Sequence, residues 1–231
     1  MFVGHYAPAL VAKRIAPEVP LWLLFIAVQV VDIAWAILVM TGIESVRIVP
    51  GFTNSNALDL HFMPYTHSLP ATFIWSFGFA LLAMILPSLR TKRALIVIAL
   101  TVASHWLMDL IVHVPDLPLW GNQYKVGLGL WNHHGLALTL ELFLLVAAGA
   151  WLMTGLENMR RRAALLVLLA VLFLSQIANA FGPVPQTPME FALSGLLVFL
   201  LFPAISIWVD RGTRPSSRSK KVVTAKSSAT P

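Results

Sequence analysis

The sequence predicts an all-α fold, a polytopic membrane helix bundle with six transmembrane helices and a short N-terminal interfacial or re-entrant helix. Three observations carry this. Of the 231 residues, 58% are hydrophobic and only 11% charged, far from the balance of a soluble domain. Six apolar runs approach the roughly 20 residues a helix needs to cross a bilayer. The basic residues then fall in alternate connections between those runs, as the positive-inside rule requires of a chain crossing a membrane repeatedly.

In chain order, Met1–Ile15 comes first. Phe2, Val3, Tyr6, Ala9, Leu10 and Val11 form an approximate helical stripe ended by Pro17 and Pro20, which predicts a short helix lying at or dipping into the membrane. The six expected spans are Leu21–Gly42, Ser68–Ser88, Ala94–Val114, Gly135–Gly155, Ala163–Phe181 and Phe191–Val209. The first is too long for a signal-peptide core and lacks a small-residue cleavage site. Lys13 and Arg14, the Arg90–Arg93 cluster, Arg160 to Arg162 and the basic tail all fall on one side, which places both termini in the cytoplasm. The connections Ile43–His67 and Pro115–Asn132 are then external and irregular. Residues 1–209 form one membrane domain, and 210–231, rich in Ser, Thr, Lys and Arg, is expected to be a disordered cytoplasmic tail.

The net charge of +6 sits mostly in those clusters, so it points to anionic lipid headgroups and not to nucleic acid. The chain has no cysteine, which excludes disulfides and thiolate metal sites. Any metal must be held by His, carboxylate, backbone or water.

All seven histidines precede residue 135, and Asp32, Asp109 and Glu141 lie inside spans that contain no Lys or Arg. An intramembrane acid must be protonated, paired or bound to an ion. His105, Asp109 and His113 follow at i, i+4 and i+8, which puts them on one helix face at steps of about 6 Å. Counting ~1.5 Å per residue from the cytoplasmic ends, Asp32 and His105 lie about 17 Å deep and Asp109 about 23 Å. They meet if the first and third spans pack together. His113 is about 12 Å beyond His105 along the axis, so one ion cannot bind both directly. His67 opens the second span, and His5 joins only if the N-terminal segment is re-entrant. His133 and His134 read as interfacial residues. Glu141, seven residues after His134, shares its face without an assigned role. Metal coordination and a hydrogen-bonded His–Asp proton pair both fit these residues.

The motifs Gly4-His5-Tyr6, Val31-Asp32-Ile33, His61-Phe-Met-Pro-Tyr-Thr66-His67-Ser68 and His105-Trp-Leu-Met-Asp109 occur in an order that resembles the LexA-binding, inner-membrane-associated metal-dependent hydrolases of bacteria. Those proteins are similar in their His/Asp pattern to zinc-dependent phospholipases C. The resemblance covers about residues 1–115. It implies an inner-membrane hydrolase of phosphoester or lipid-like substrates with a divalent metal, expected to be zinc. Its metal ligands would be His5, Asp32, His67, His105 and Asp109, with His61 as a ligand or acid/base and Asp109 also catalytic. The His-x-x-x-Glu of the phospholipases is missing, since Ala137 and Leu138 stand four residues after His133 and His134, so one or two metals are expected. Zinc held by imidazoles and a carboxylate with one position open lowers the pKa of water toward ~7 and polarises a phosphoryl or acyl oxygen. Proton or divalent-cation transport, or a scaffold with a structural His/Asp cluster, uses the same residues. The expected partners are membrane lipids and the substrate, with no nucleic acid.

Overall fold

The computed structural model describes residues 1–211. The tail expected from residue 210 lies, beyond Arg211, outside the described residues. Helices dominate: α1 (Tyr6–Ile15), α2 (Leu21–Met40), α3 (Leu69–Ala83), α4 (Lys92–Val112), α5 (His134–Thr154), α6 (Met159–Phe181) and α7 (Pro188–Asp210). Five of them, all but α1 and α3, are long and apolar enough to cross a membrane. This is a helical membrane protein.

The expected second span is shorter than the sequence predicts. Ser68 caps α3 by accepting from the Ala71 N–H, with Pro70 in the first turn. The helix stops at Ala83, 15 residues on, and Leu86 is extended ahead of Pro87, as a pre-proline residue prefers. At 1.5 Å per residue, α3 covers about 22 Å, against a hydrocarbon core of about 30 Å.

The N-terminal segment is inside the bundle and not on its surface. A 3-10 turn (Val3–His5) leads into α1, and Val3, His5, Tyr6, Ala9 and Leu10 are fully buried among α2, α4 and α5. The reversal at Pro17–Pro20 makes α1 run back alongside α2. His5 is 10 residues from Ile15 and Asp32 is 11 from Leu21, so about 15–17 Å of helix on either side of one turn brings both to one level. Lys13 secures that turn. Its Nζ donates to the carbonyls of Pro17 and Val19, 2.9 Å each, and pairs with Asp210 at the end of α7 at 2.8 Å. The other Asp210 oxygen accepts from the Leu21 N–H, an otherwise orphaned donor at the start of α2.

α2 lies at the centre, packed on α7, α4 and α1, and is the most buried of the long helices. Two apolar cores meet along it. One surrounds Val3, Leu10, Phe25 and Val28, and the other surrounds Met1, Trp35, Val112 and Trp131. The ionisable residues of the spans sit where they join.

The two long connections, expected to be irregular, each form an antiparallel hairpin at one end of the bundle. β1 (Ser45–Ile48) pairs with β2 (Leu58–Phe62), placing Arg47 opposite Asp59, and their side chains form an ion pair at 2.7 Å. β3 (Leu117–Trp120) pairs with β4 (Gln123–Val126). The hairpins are tied together by Asn122 Nδ2 and Lys125 Nζ, which donate to the His61 carbonyl at 3.0 and 2.7 Å. Partial burial lowers the pKa of the Lys125 ammonium, and the carbonyl replaces part of the lost hydration. After β4 the chain crosses the end of α4, where the N–H groups of Leu128 and Gly129 donate to the carbonyls of Leu110 and His113. These bonds satisfy acceptors that a helix end leaves unpaired. The approach requires Gly127, because a Cβ there would lie 2.2 Å from the Val114 carbonyl oxygen.

Candidate metal centre

Asp109 is the hub. It lies one turn before the end of α4, is 2% exposed, and its two oxygens face two groups of nitrogens. Oδ2 is 3.1 Å from His105 Nε2 and 3.7 Å from His67 Nε2. Oδ1 is 3.0 Å from His5 Nε2, 3.6 Å from His113 Nε2 and 2.7 Å from the Met1 amino nitrogen. Asp32 of α2 closes the first group, with Oδ1 3.3 Å from His67 Nε2 and 3.4 Å from His105 Nε2. The structure thus brings His5, Asp32, His67, His105 and Asp109 into one cluster. Two sets of three, His5/His105/Asp109 and Asp32/His67/His105, each present ligand atoms within 4.8 Å of one another.

Three of the imidazoles are tethered through Nδ1. His105 Nδ1 is 2.7 Å from the Val28 carbonyl of α2, which can only accept, so Nδ1 carries the proton. His113 Nδ1 is 2.8 Å from the Asp116 carboxylate and donates likewise. Thr66 donates its hydroxyl to Glu44 Oε2 at 2.7 Å, so its oxygen accepts from His67 Nδ1 at 2.8 Å. In each neutral ring the lone pair is left on Nε2, aimed at the carboxylates. This is the arrangement of metal-binding histidines, whose second nitrogen donates to a carboxylate, carbonyl or hydroxyl that fixes tautomer and orientation.

His5 stacks on His105 with ring centroids 3.9 Å apart and planes 7° from parallel. Among the described residues, buried His5 Nδ1 has no hydrogen-bond partner, and the buried Nε2 atoms of His5 and His105 face carboxylate oxygens at 3.0–3.4 Å without forming a hydrogen bond of good geometry. Such atoms are expensive to leave unsatisfied, and a cation between them and the carboxylates satisfies them. The residues therefore fit a divalent metal. Only nitrogen and oxygen donors are on offer, a set that suits zinc among other divalent ions.

His61 is not in the cluster. Its Nε2 lies 3.0 Å from Ser45 Oγ and its Nδ1 3.3 Å from the Asp59 carbonyl, while its carbonyl joins the hairpins. The structure therefore does not bring His61, expected as a ligand or acid/base, together with the other five residues. Strand β2 and the turn through Pro64 separate it from Thr66 and His67, so neighbours in the motif diverge in space. His113 reaches the face of Asp109 opposite His105 and packs on Trp131 at a ring-centroid distance of 4.3 Å. His134 lines the adjoining cavity, whereas His133 is exposed.

The sequence reading missed several supporting groups. Asp116 stands three residues after His113, and that spacing was available in the sequence. Glu44 supports His67 only because the hairpin folds back. Glu141 of α5 accepts from the Phe2 and Gly4 N–H groups at 2.8 and 3.1 Å, holding the turn that presents His5. Gly4 permits this approach, since a Cβ there would lie 3.2 Å from Glu141 Cγ and 2.7 Å from Met1 Sδ.

A cavity of about 530 Å³ adjoins the cluster. Asp32, His67, Asp109, His113 and Glu141 lie on its polar side, and the hairpin segment Ser55–Leu58, α2, α5, α6, α7 and the α6–α7 connection contribute to the remaining wall. Asp32, 17% exposed against 2% for Asp109, is the more accessible of the two carboxylates.

Fold and site together define a helical membrane protein with a buried histidine–carboxylate cluster suited to a divalent cation. Comparison of the chain with models of protein families, with curated proteins and with solved structures finds no match to any of them.

Proposed function

We propose that the protein is a membrane-embedded, metal-dependent hydrolase acting on a phosphoester or lipid-like substrate. The observation that carries this reading is the convergence of tethered imidazole Nε2 atoms on two carboxylates at the wall of a cavity. His5, Asp32, His67, His105 and Asp109 would hold the metal, with His113 on the second Asp109 oxygen. A divalent ion there supplies Lewis acidity toward water and toward a phosphoryl oxygen. The protein's own groups do the rest. Val28, Thr66 with Glu44, and Asp116 orient the imidazoles, Glu141 fixes the His5 turn, and Asp32 stands at the accessible edge where a substrate would arrive.

The resemblance of the four His/Asp motifs to inner-membrane hydrolases supplies the reaction class and the bacterial inner membrane as location. The alternating basic clusters support six crossings, with α3 as a short one and both termini cytoplasmic; the cluster would then lie in the outer half of the bilayer and the hairpins at its external face. A site approached from one side is also favoured over a transport path. Tyr6, Leu10, Leu24 and Phe25, all fully buried, fill the interior between the cluster and the basic end with largely apolar groups.

The test is hydrolysis of a chromogenic phosphodiester by zinc-loaded protein in detergent. Asp109→Ala is expected to lower kcat/KM by at least about 100-fold, because a residue that would hold the metal is lost, and losing only a hydrogen-bond partner of such a residue already costs about 10- to 100-fold. An unchanged rate in Asp109→Ala would overturn the reading.

A further inference from the structure

The cavity continues past the cluster toward the lipid-facing side of the bundle. Ala178 and Asn179 of α6 and Ser194 of α7 line it and are also exposed, so it opens sideways where these two helices approach their connection. Both helices are long and apolar enough to cross a membrane. Gly182 to Pro185 of the α6–α7 connection also line the cavity, so the mouth lies near the ends of these helices, where hydrocarbon chains meet headgroups.

The wall is not uniformly apolar. Ser175, Gln176 and Asn179 line the cavity from α6 in a helix otherwise rich in Leu, Ala and Val. Gln176 is 4% exposed, and its Oε1 is buried without a hydrogen-bond partner among the described residues. Leaving such an oxygen unsatisfied is costly, and a ligand with a donor at that level removes the deficit. Deeper in, the polar side of the cavity is the cluster itself. The volume lies within the range of about 300–1,000 Å³ usual for small-molecule sites, room for a polar head and the first part of a chain whose remainder lies in the bilayer.

We propose that the cavity binds a membrane amphiphile through one hydrocarbon chain that enters sideways between α6 and α7, with a hydroxyl or amide N–H at the junction of chain and head donating to Gln176 and the head lying at the His/Asp cluster. The proposal rests on the hydrolase reading, for which this amphiphile is the substrate. It assigns Gln176 a binding role and makes the α6–α7 mouth the entrance.

The experiment uses the full chain in nanodiscs and a monoacylglycerol carrying a diazirine in its chain, with labelled residues mapped by mass spectrometry and metal content measured on the same samples. Labelling is expected inside the cavity, at Val198 and Phe199. It should fall about tenfold in Gly195→Trp, whose indole occupies the cavity, and severalfold in Gln176→Leu, with metal content unchanged in both. If Gly195→Trp fails to fold, Val198→Trp serves the same purpose. Labelling confined to outward-facing Phe173 and Leu197, equal in wild type and variants, would overturn the proposal even if metal is present, and leave the hydrolase reading standing. Cavity labelling in a wild-type protein that binds no metal would support the lipid site and sink the hydrolase reading.

Discussion

An imidazole offers a metal one nitrogen when its other nitrogen is engaged as a donor, and His67, His105 and His113 are all engaged in this way. Their tethers differ in chemistry, being a hydroxyl backed by a carboxylate, a main-chain carbonyl and a carboxylate, and this difference is testable. Thr66→Val removes the acceptor for His67 Nδ1, and Asp116→Ala removes that for His113. Each is expected to weaken metal binding by about 10- to 100-fold, the usual effect of losing such a partner, as measured by competition with a chromogenic chelator. Affinity unchanged in Thr66→Val would show that the Glu44–Thr66–His67 chain has no part in holding the ion. The pH dependence has a fixed sign. Metal binding requires neutral imidazole, and histidine has an ordinary pKa near 6.5. Metal retention should therefore be full above about pH 7 and fall as pH drops below about 6. The residues of α4 were legible in the sequence because i, i+4 spacing on a helix fixes their common face. The supporting acids Glu44 and Glu141 were not, because a hairpin and a re-entrant turn bring them to their partners across long stretches of chain. His61 misled for the same reason, since the motif runs through a strand end and a proline turn that carry its ring away.

At the scale of elements, the site depends on two unusual pieces of backbone, the folded-back α1 and the crossing of α4 by the segment that follows β4. The first was legible as an apolar stripe ended by two prolines, though its depth was not. The cue was the matched distance of His5 and Asp32 from the Pro17–Pro20 turn. The second left no signal in hydropathy, because hairpins at a bundle's end need only short alternating segments such as Leu58–Phe62. It is nevertheless sharply constrained. Gly127→Ala forces a Cβ against the carbonyls of His113 and Val114, atoms that cannot yield without moving the end of α4. That variant should lower the unfolding temperature in detergent by several degrees and reduce metal affinity, because His113 sits on the displaced segment. Gly78→Ala, where a Cβ meets nothing within 4 Å, is the control and should leave both unchanged. Equal behaviour of the two variants would contradict the account of the crossing.

At the scale of the molecule, the bundle surrounds a central helix, α2, which carries an acid that apolar lipid would not tolerate. Composition alone made the membrane class legible. The number of long helices was harder to read, because a run of apolar residues in sequence continues through Met84–Leu86 after the helix has ended ahead of Pro87. The central claim is that this architecture exists to hold a divalent cation. The most direct test is the metal content of detergent-purified protein by mass spectrometry, comparing wild type with His105→Ala, Asp109→Ala and His61→Ala. About one or two zinc equivalents in wild type and His61→Ala, lost in His105→Ala and Asp109→Ala, is the predicted result. Well-folded wild type that takes up no metal even after zinc addition would contradict it and return the cluster to proton chemistry or helix packing.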